Sequence, residues 1–491
     1  MLFLIIIFPI AGALLVILGA PARKTSLATS CLTLGLTSIL FTQFRLNGGF
    51  QFTSSISIAP EFHLAFAVGL DGLSLLMVLL AAIVTVAAVW FAGPIDRSPS
   101  AFYASLLLIS GGTIGAFASL DLFFFYAFHE LALIPTFLLI GIWGSGNRSA
   151  AAWKVTIYLG LGSFILLIGL IMLYQSFPAD ARTFDIRQFK ALAAQISPES
   201  QRRIFLLFLI GFGSLVSLFP FHSWAPEAYA SAPAPAAMLH AGVLKKFGLY
   251  GLLRLGLPLL PQGLEYWTPV LTVLLLGNII YIGLVTITQK RLDWMLGYSS
   301  VMHMGYIFLG IATAGILGAT GAALLMFGHG LSIALLFAIA GELRKRTGTL
   351  VFDDLGGLAR PMPLAGLAFG FGAFAAIGLP GFTNFAAEIM VFFGAFRRGW
   401  EMNQFHLFQT ATALALWGVV ISAVYMLRGY RNAFMGTLPE RWRDLPDLRQ
   451  SLRLPLSVLI AVLIWFGFFP QSLVDIVSPG LRTSLSTSAA R

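Results

Sequence analysis

Cys31 is the one cysteine in 491 residues. It has no partner for an intrachain disulfide, and a lone thiolate cannot ligate an iron–sulfur cluster within this chain. Charge is also scarce. Asp, Glu, Lys and Arg together make up 10% of the sequence, against roughly a quarter in soluble domains. No G-x-G-x-x-G and no Walker A sequence occurs, so no nucleotide site is evident. The net charge of +10 is not gathered into a long basic run, which speaks against nucleic-acid binding.

What fills the chain is apolar. Hydrophobic residues account for 58% and the mean hydropathy is +0.88. Long uncharged runs repeat from end to end without strict alternation, the pattern of membrane-crossing helices rather than of a β-barrel. The expected fold is an all-α polytopic membrane protein with about fourteen spans. They fall near 1–20, 25–43, 72–92, 101–119, 121–142, 151–175, 203–221, 234–257, 267–288, 294–313, 317–341, 364–396, 406–428 and 453–470. The first, "MLFLIIIFPIAGALLVILGA", lacks a basic leader and is expected to be a retained helix.

Prolines interrupt two spans. The seventh ends in "FPFHSWAP" with Pro220 and Pro226, and the twelfth contains "GLPG", Gly378 to Gly381. Proline removes a backbone donor, and the carbonyls it frees need a polar neighbour or water. Spans 4–8 and 9–13 each carry one broken helix. An offset of five spans gives the two units opposite topology, the arrangement of inverted repeats in secondary transporters. The expected units are residues 1–100, 101–257, 258–430 and 431–491. Loops after odd-numbered spans carry seventeen Lys and Arg and the opposite side eleven; Lys245 and Lys246, inside span 8, complete the thirty. The positive-inside rule then places both termini on the outer, periplasmic side of a bacterial inner membrane.

Charged groups within the apolar spans are costly and mark function by default. Glu130 sits in the middle of "LFFFYAFHELALIPTFLLIGIW" beside His129. Lys154 opens span 6, Lys245 and Lys246 lie in "MLHAGVLKKFGLYG", and His303 and His329 lie in spans 10 and 11. Glu388 follows the break in span 12. Lysines poised between desolvation and a carboxylate, with histidines between them, suit stepwise transfer of protons or of sodium. Other roles stay open at this point. Lys154 and Lys245 could snorkel to an interface, and the two histidines could be packing residues. Asp71, in "VGLDGLSLL", is expected to cap span 3, and His222 to satisfy the bend after span 7.

The stretches "FHELALIPTFLLIGIWG", "NRSAAAWKVTIYLGLGS", "FPFHSWAPEAYASAPAPAAMLHAGVLKKFGLYGLLR", "YSSVMHMGY", "GHGLSIALLF" and "GLPGFTNFAAEIMVFFGAF" resemble NADH-quinone oxidoreductase subunit M, also called chain 4. It is one of the antiporter-like membrane subunits of respiratory complex I. The likeness runs from about residue 65 to 430 in family order. It implies proton conduction along a buried axis through Glu130, Lys154, Lys246, His303, His329 and Glu388, with His129, His222, His240 and Lys245 as accessory candidates. It implies no cofactor in this chain, with NADH, FMN, iron–sulfur clusters and quinone handled by partners. Among those partners would be the antiporter-like subunits L and N. A subunit of a multisubunit cation/proton antiporter, a subunit of a hydrogenase-type complex, and a spacer with impaired pumping are the alternatives.

The sequence departs from the family pattern in several places. Where the resemblance leads one to expect a lysine in span 7, Leu215 stands. Asp293 occupies a usual lysine position, Lys245 is an added charge, and His129 replaces what is more often an aromatic residue. His240 looks like the corresponding position of subunit L. The expected cationic partner of Glu130 is therefore Lys154 or His129.

Overall fold

The computed structural model describes residues 1–401 and 405–485. Residues 402–404 of the expected 258–430 unit and 486–491 of the expected C-terminal unit lie outside them. Among the described residues ten helices are long and apolar enough to cross a membrane, and Leu2–Ile17 and Pro363–Ile377 are shorter apolar helices. The backbone of each pairs with itself, which is what a chain in hydrocarbon requires. Polar side chains mark the helix starts. Asp71 accepts from the Ser74 amide at 2.9 Å, Asp121 from Phe123 and Phe124 at 2.9 and 3.2 Å, and Asn147 from Ala150 at 3.4 Å. The expected cap at Asp71 is thus present.

Span 11, Ile316–Thr347, is the hub. Its most apolar stretch is wholly buried. It packs on span 10 (Leu292–Ala312), on both halves of span 12, on the start of span 8 and on span 3 (Gly72–Ala92). Span 2 (Ala22–Gln43) packs on span 3, and the final apolar helix, Arg453–Phe468, on spans 3 and 11, each with only a minority of its residues fully buried. Leu18, Ile134, Phe164, Val273 and Trp417 are among the exposed apolar side chains, as expected of a surface solvated by lipid or by other membrane helices.

Both proline breaks are present. Span 7, Pro198–Val216, stops at Ser217, and the chain turns before a short helix, Trp224–Ser231. Span 12 stops at Ile377, passes through Gly378 at φ +78° and Gly381 at φ +95°, and resumes as Thr383–Glu401. Only glycine adopts such φ values at little cost.

Other features were not legible as apolar runs. Span 8 is loosened by two π-helical stretches, His240–Leu244 and Leu252–Gly256, and span 9 by a third, Gly277–Ile282. A β-hairpin, Gln51–Ala59 with Leu64–Leu70, joins spans 2 and 3. After the last apolar helix, the expected tail contains a helix, Gln471–Leu485. It buries Leu473, Ile476, Val477, Gly480 and Leu481 along one face, against spans 3 and 11. That spacing is an amphipathic stripe.

Candidate functional site

Lys246 and His329 form the centre. Spans 8 and 11 approach so closely at Gly242 and Gly330 that a Cβ on either would press the other's carbonyl. This contact, four residues before Lys246 and one after His329, brings the two side chains together. Lys246 Nζ lies 2.9 Å from His329 Nδ1 and donates to the Ala241 carbonyl at 2.5 Å. Ala241 belongs to the π-helical turn, where the regular i to i+4 bonding is relaxed and a carbonyl is free to serve a side chain. Both side chains are buried.

The line continues through His303, whose ring centroid is 5.5 Å from that of His329. His303 has a carbonyl at each nitrogen, Ser299 at 2.8 Å from Nδ1 and Ala376 at 2.7 Å from Nε2. A neutral imidazole donates from one nitrogen only, so both contacts are satisfied when the ring carries two protons. Ala376 sits in the last turn before the span-12 break, so the interruption supplies the acceptor.

Beyond the break lies Glu388, buried, with its carboxylate against Gly378. One of its oxygens has no protein partner among the described residues. Asn384, one turn earlier, is also fully buried, and neither atom of its side-chain amide is bonded. It touches the backbone of Gly328, next to His329. Tyr306 and Tyr425 lie within electrostatic reach of Glu388, and the Tyr425 hydroxyl meets Ser299 Oγ at 3.0 Å.

Glu130 marks the other end. It accepts a hydrogen bond from Ser163 of span 6, whose Oγ also lies 3.1 Å from the Tyr126 hydroxyl. The nearest cationic candidate is His129, with Nδ1 3.5 Å from the carboxylate. The Glu130 side chain is 38% exposed, so it opens to the outside of this chain as well as to His129. The His129 ring is buried and stacks on Phe247, the residue after Lys246, at 4.0 Å between centroids.

Lys154 is elsewhere. It pairs with Glu227 of the short helix after span 7 at 2.8 Å, so of the two expected partners of Glu130 only His129 is in place. The geometric reason is the span-7 break, which returns Glu227 towards span 6. Leu215 is buried where the resemblance calls for a lysine. Lys245 is buried, reaching the Ser300 carbonyl and hydroxyl at 3.3 and 3.4 Å and the Tyr229 ring at 5.6 Å. It does not snorkel. His240 accepts from or donates to the Tyr229 hydroxyl at 3.1 Å. His240 is also within electrostatic reach of Lys245, His129 and Lys246. His222 stacks on Phe219 at 5.6 Å, within electrostatic reach of Lys245 and Lys154.

Sequence reasoning missed Asn384, Tyr229, Ser163, Ser300 and Glu227, because single hydroxyls, amides and a carboxylate near a helix start carry no signal at membrane depth. Asn384 had a faint one, three residues beyond "GLPG" and four before Glu388. Arg254 was missed too. It lies near the end of span 8 and binds Asp71 through two bonds of 2.6 Å.

This geometry, a lysine and two histidines between two carboxylates beside broken helices, has close relatives. The family model described as NADH:quinone oxidoreductase/Mrp antiporter, TM matches residues 119–415. The chain belongs to that family. A protein of Methanosarcina mazei called F(420)H(2) dehydrogenase subunit M is 34% identical, over 94% of this chain and 92% of its own length. One from Synechocystis sp. called NAD(P)H-quinone oxidoreductase chain 4-1 is 35% identical, over 99% and 93%. Among solved structures, a chain of respiratory complex I from Thermus thermophilus with bound NADH superposes with a TM-score of 0.90 at 27% identity, covering 99% of both chains. The antiporter-family fold thus holds over the whole length, including the elements outside the matched segment.

Proposed function

We propose that this chain is the proton-translocating, subunit M-type component of the membrane arm of a quinone oxidoreductase related to complex I. Protons would pass from Glu130 and His129 to Lys246 and His329, then through His303 to Glu388. The observation that carries this reading is the run of buried side-chain atoms along that line with no protein partner among the described residues. They are His240 Nε2, His329 Nε2, both amide atoms of Asn384 and Glu388 Oε1. Buried polar atoms are seldom left unpaired, and internal water satisfies them where the site is polar. Water threaded between titratable groups conducts protons, and intramembrane acids, lysines and histidines mark such relays.

The break at Gly378 and the π turn at Ala241 place backbone carbonyls on this line, which lets it change partners without unpairing the helices. One charge moved through 100 mV costs about 2.3 kcal/mol, comparable to making or losing one charge-assisted hydrogen bond such as Lys246 to His329. The drive would come from redox chemistry in partner subunits that hold FMN, iron–sulfur clusters and the quinone site. The antiporter-like subunits L and N are the proposed neighbours. Fourteen crossings, inverted repeats at 101–257 and 258–430, and termini on the periplasmic face of a plasma membrane complete the reading. Its support is the loop-charge asymmetry and the matching breaks.

The name of the Methanosarcina relative favours a second reading of the electron input. The same membrane role can serve a donor other than NADH, since nothing in this chain selects one. The test of translocation is Lys246→Met in the assembled complex, with quinone reduction and proton uptake followed together in inverted vesicles. The expected result is sustained electron transfer with fewer protons moved per electron; an unchanged ratio rejects the role.

A further inference from the structure

A cavity of about 180 Å³ opens among the loop ends on the face carrying the odd-to-even loops. Trp143, Ser145, Tyr229, Ser231, Asp293 and Arg344 are among its lining residues. Most of its lining is apolar, with these polar groups set among it, and its volume is enough for several waters. Its inner wall includes Tyr229, whose buried hydroxyl lies 3.1 Å from His240 Nδ1. Behind His240 are Lys245 and Lys246.

Arg344 lies across the mouth. It donates to Ser145 Oγ at 2.9 Å in the loop after span 5, and to the Ala230 carbonyl at 3.0 Å in the short helix after span 7. It also pairs with Asp293 at the start of span 10. Asp293 is buried, and Arg291 shares its Oδ2 at 2.8 Å and reaches its Oδ1 at 3.1 Å. One guanidinium therefore ties three separate elements together over a cavity whose wall includes Tyr229, the partner of His240. A simple helix-end staple would need no cavity beneath it.

We propose that this cavity is a second proton entrance, distinct from Glu130, that Tyr229 is its proton-carrying residue and that Arg344 is the positioning residue that closes it. The inference rests on the translocation reading above. In the step, a hydronium in the cavity gives its proton to Tyr229 Oη while the Tyr229 O–H proton passes to His240 Nδ1. Tyr229 ends neutral, water is released, and the imidazolium discharges from Nε2 towards the lysines. One proton enters and one leaves.

The test uses the assembled complex in a Cys31→Ser background, with Ala237→Cys placed in the cavity wall. A small membrane-impermeant methanethiosulfonate is applied to inverted and to right-side-out vesicles. Labelling is expected in inverted vesicles only. Arg344→Gln should speed it about tenfold, equivalent to about 1.4 kcal/mol less closure, and Arg344→Lys should restore the slow rate. Tyr229→Phe should lower the protons moved per electron without changing the labelling rate. Equal labelling in Arg344→Gln and wild type, or an unchanged proton ratio in Tyr229→Phe, overturns the proposal. If Lys246→Met lowers the ratio while Tyr229→Phe does not, this entrance fails alone; if neither does, the translocation reading fails with it.

Discussion

Removing the Arg254 guanidinium while leaving Asp71 in place should damage this protein more than removing both charges. The Asp71 carboxylate takes two bonds of 2.6 Å from Arg254, and their side chains are 6% and 8% exposed. Tyr250 and Ser74 complete the guanidinium's bonding at 3.2 and 3.0 Å, and the Phe50 ring lies 5.1 Å away. At an effective dielectric constant of about 20, charges at that separation attract by roughly 6 kcal/mol. Taking them out of water cancels much of this, so the pair itself contributes little net stability. Arg254→Met leaves the burial cost of Asp71 without its compensation, and stripping one member of a buried pair costs about 3–5 kcal/mol. Asp71→Asn combined with Arg254→Met removes both charges while keeping an N-cap side chain for Ser74. The assay is denaturant-induced unfolding of the purified chain in detergent for the wild type, both single variants and the double variant. The single Arg254→Met variant should be the least stable. A double variant as unstable as Arg254→Met, or an Arg254→Met variant as stable as wild type, would refute the account of a mutually compensating buried pair.

Other expectations follow from the same structure. Glu130→Gln should lower the protons pumped per electron with electron transfer retained, whereas Lys154→Met, which breaks only the half-exposed pair with Glu227, should change stability by no more than about 1 kcal/mol and leave the ratio near wild type. Gly378→Ala places a Cβ against the Glu388 carboxylate at φ +78°, a conformation costing about 1–2 kcal/mol for an L-residue; pumping should fall while the amount of membrane-inserted chain, measured by immunoblot, changes little. Burial pushes the carboxyl of Asp121, the N-cap just ahead of the membrane helix Leu122–Trp143, up to about 6, against the pull of its capping amides and with the help of nearby Asp185. The folded state then holds this proton more tightly than the unfolded one, so stability should fall as pH rises from about 4 to about 6 and level off above, a change of about 3 kcal/mol. Thermal melts across that range should show the slope, and Asp121→Asn, which keeps a capping oxygen, should flatten it.

Composition and apolar periodicity were enough to establish a helical membrane protein, because each span must bury its own backbone bonds and so writes itself as a continuous apolar run. The two breaks were equally plain, since proline and glycine act locally at "FPFHSWAP" and "GLPG". The buried acids, lysines and histidines stood out because nothing else charged belongs at that depth. Their connections were not legible. Which cation faces Glu130 depended on where the chain returns after Val216, and the return gave Lys154 to Glu227 and left His129 beside the carboxylate. The contact of Lys246 with His329 depended on two glycines 88 residues apart that let helices touch backbone to backbone. The cavity under Arg344 is assembled from several separated loop ends. Sequence specifies groups that are expensive to bury; only the tertiary packing decides which of them share that expense, because partners come from distant spans whose spacing no local pattern records.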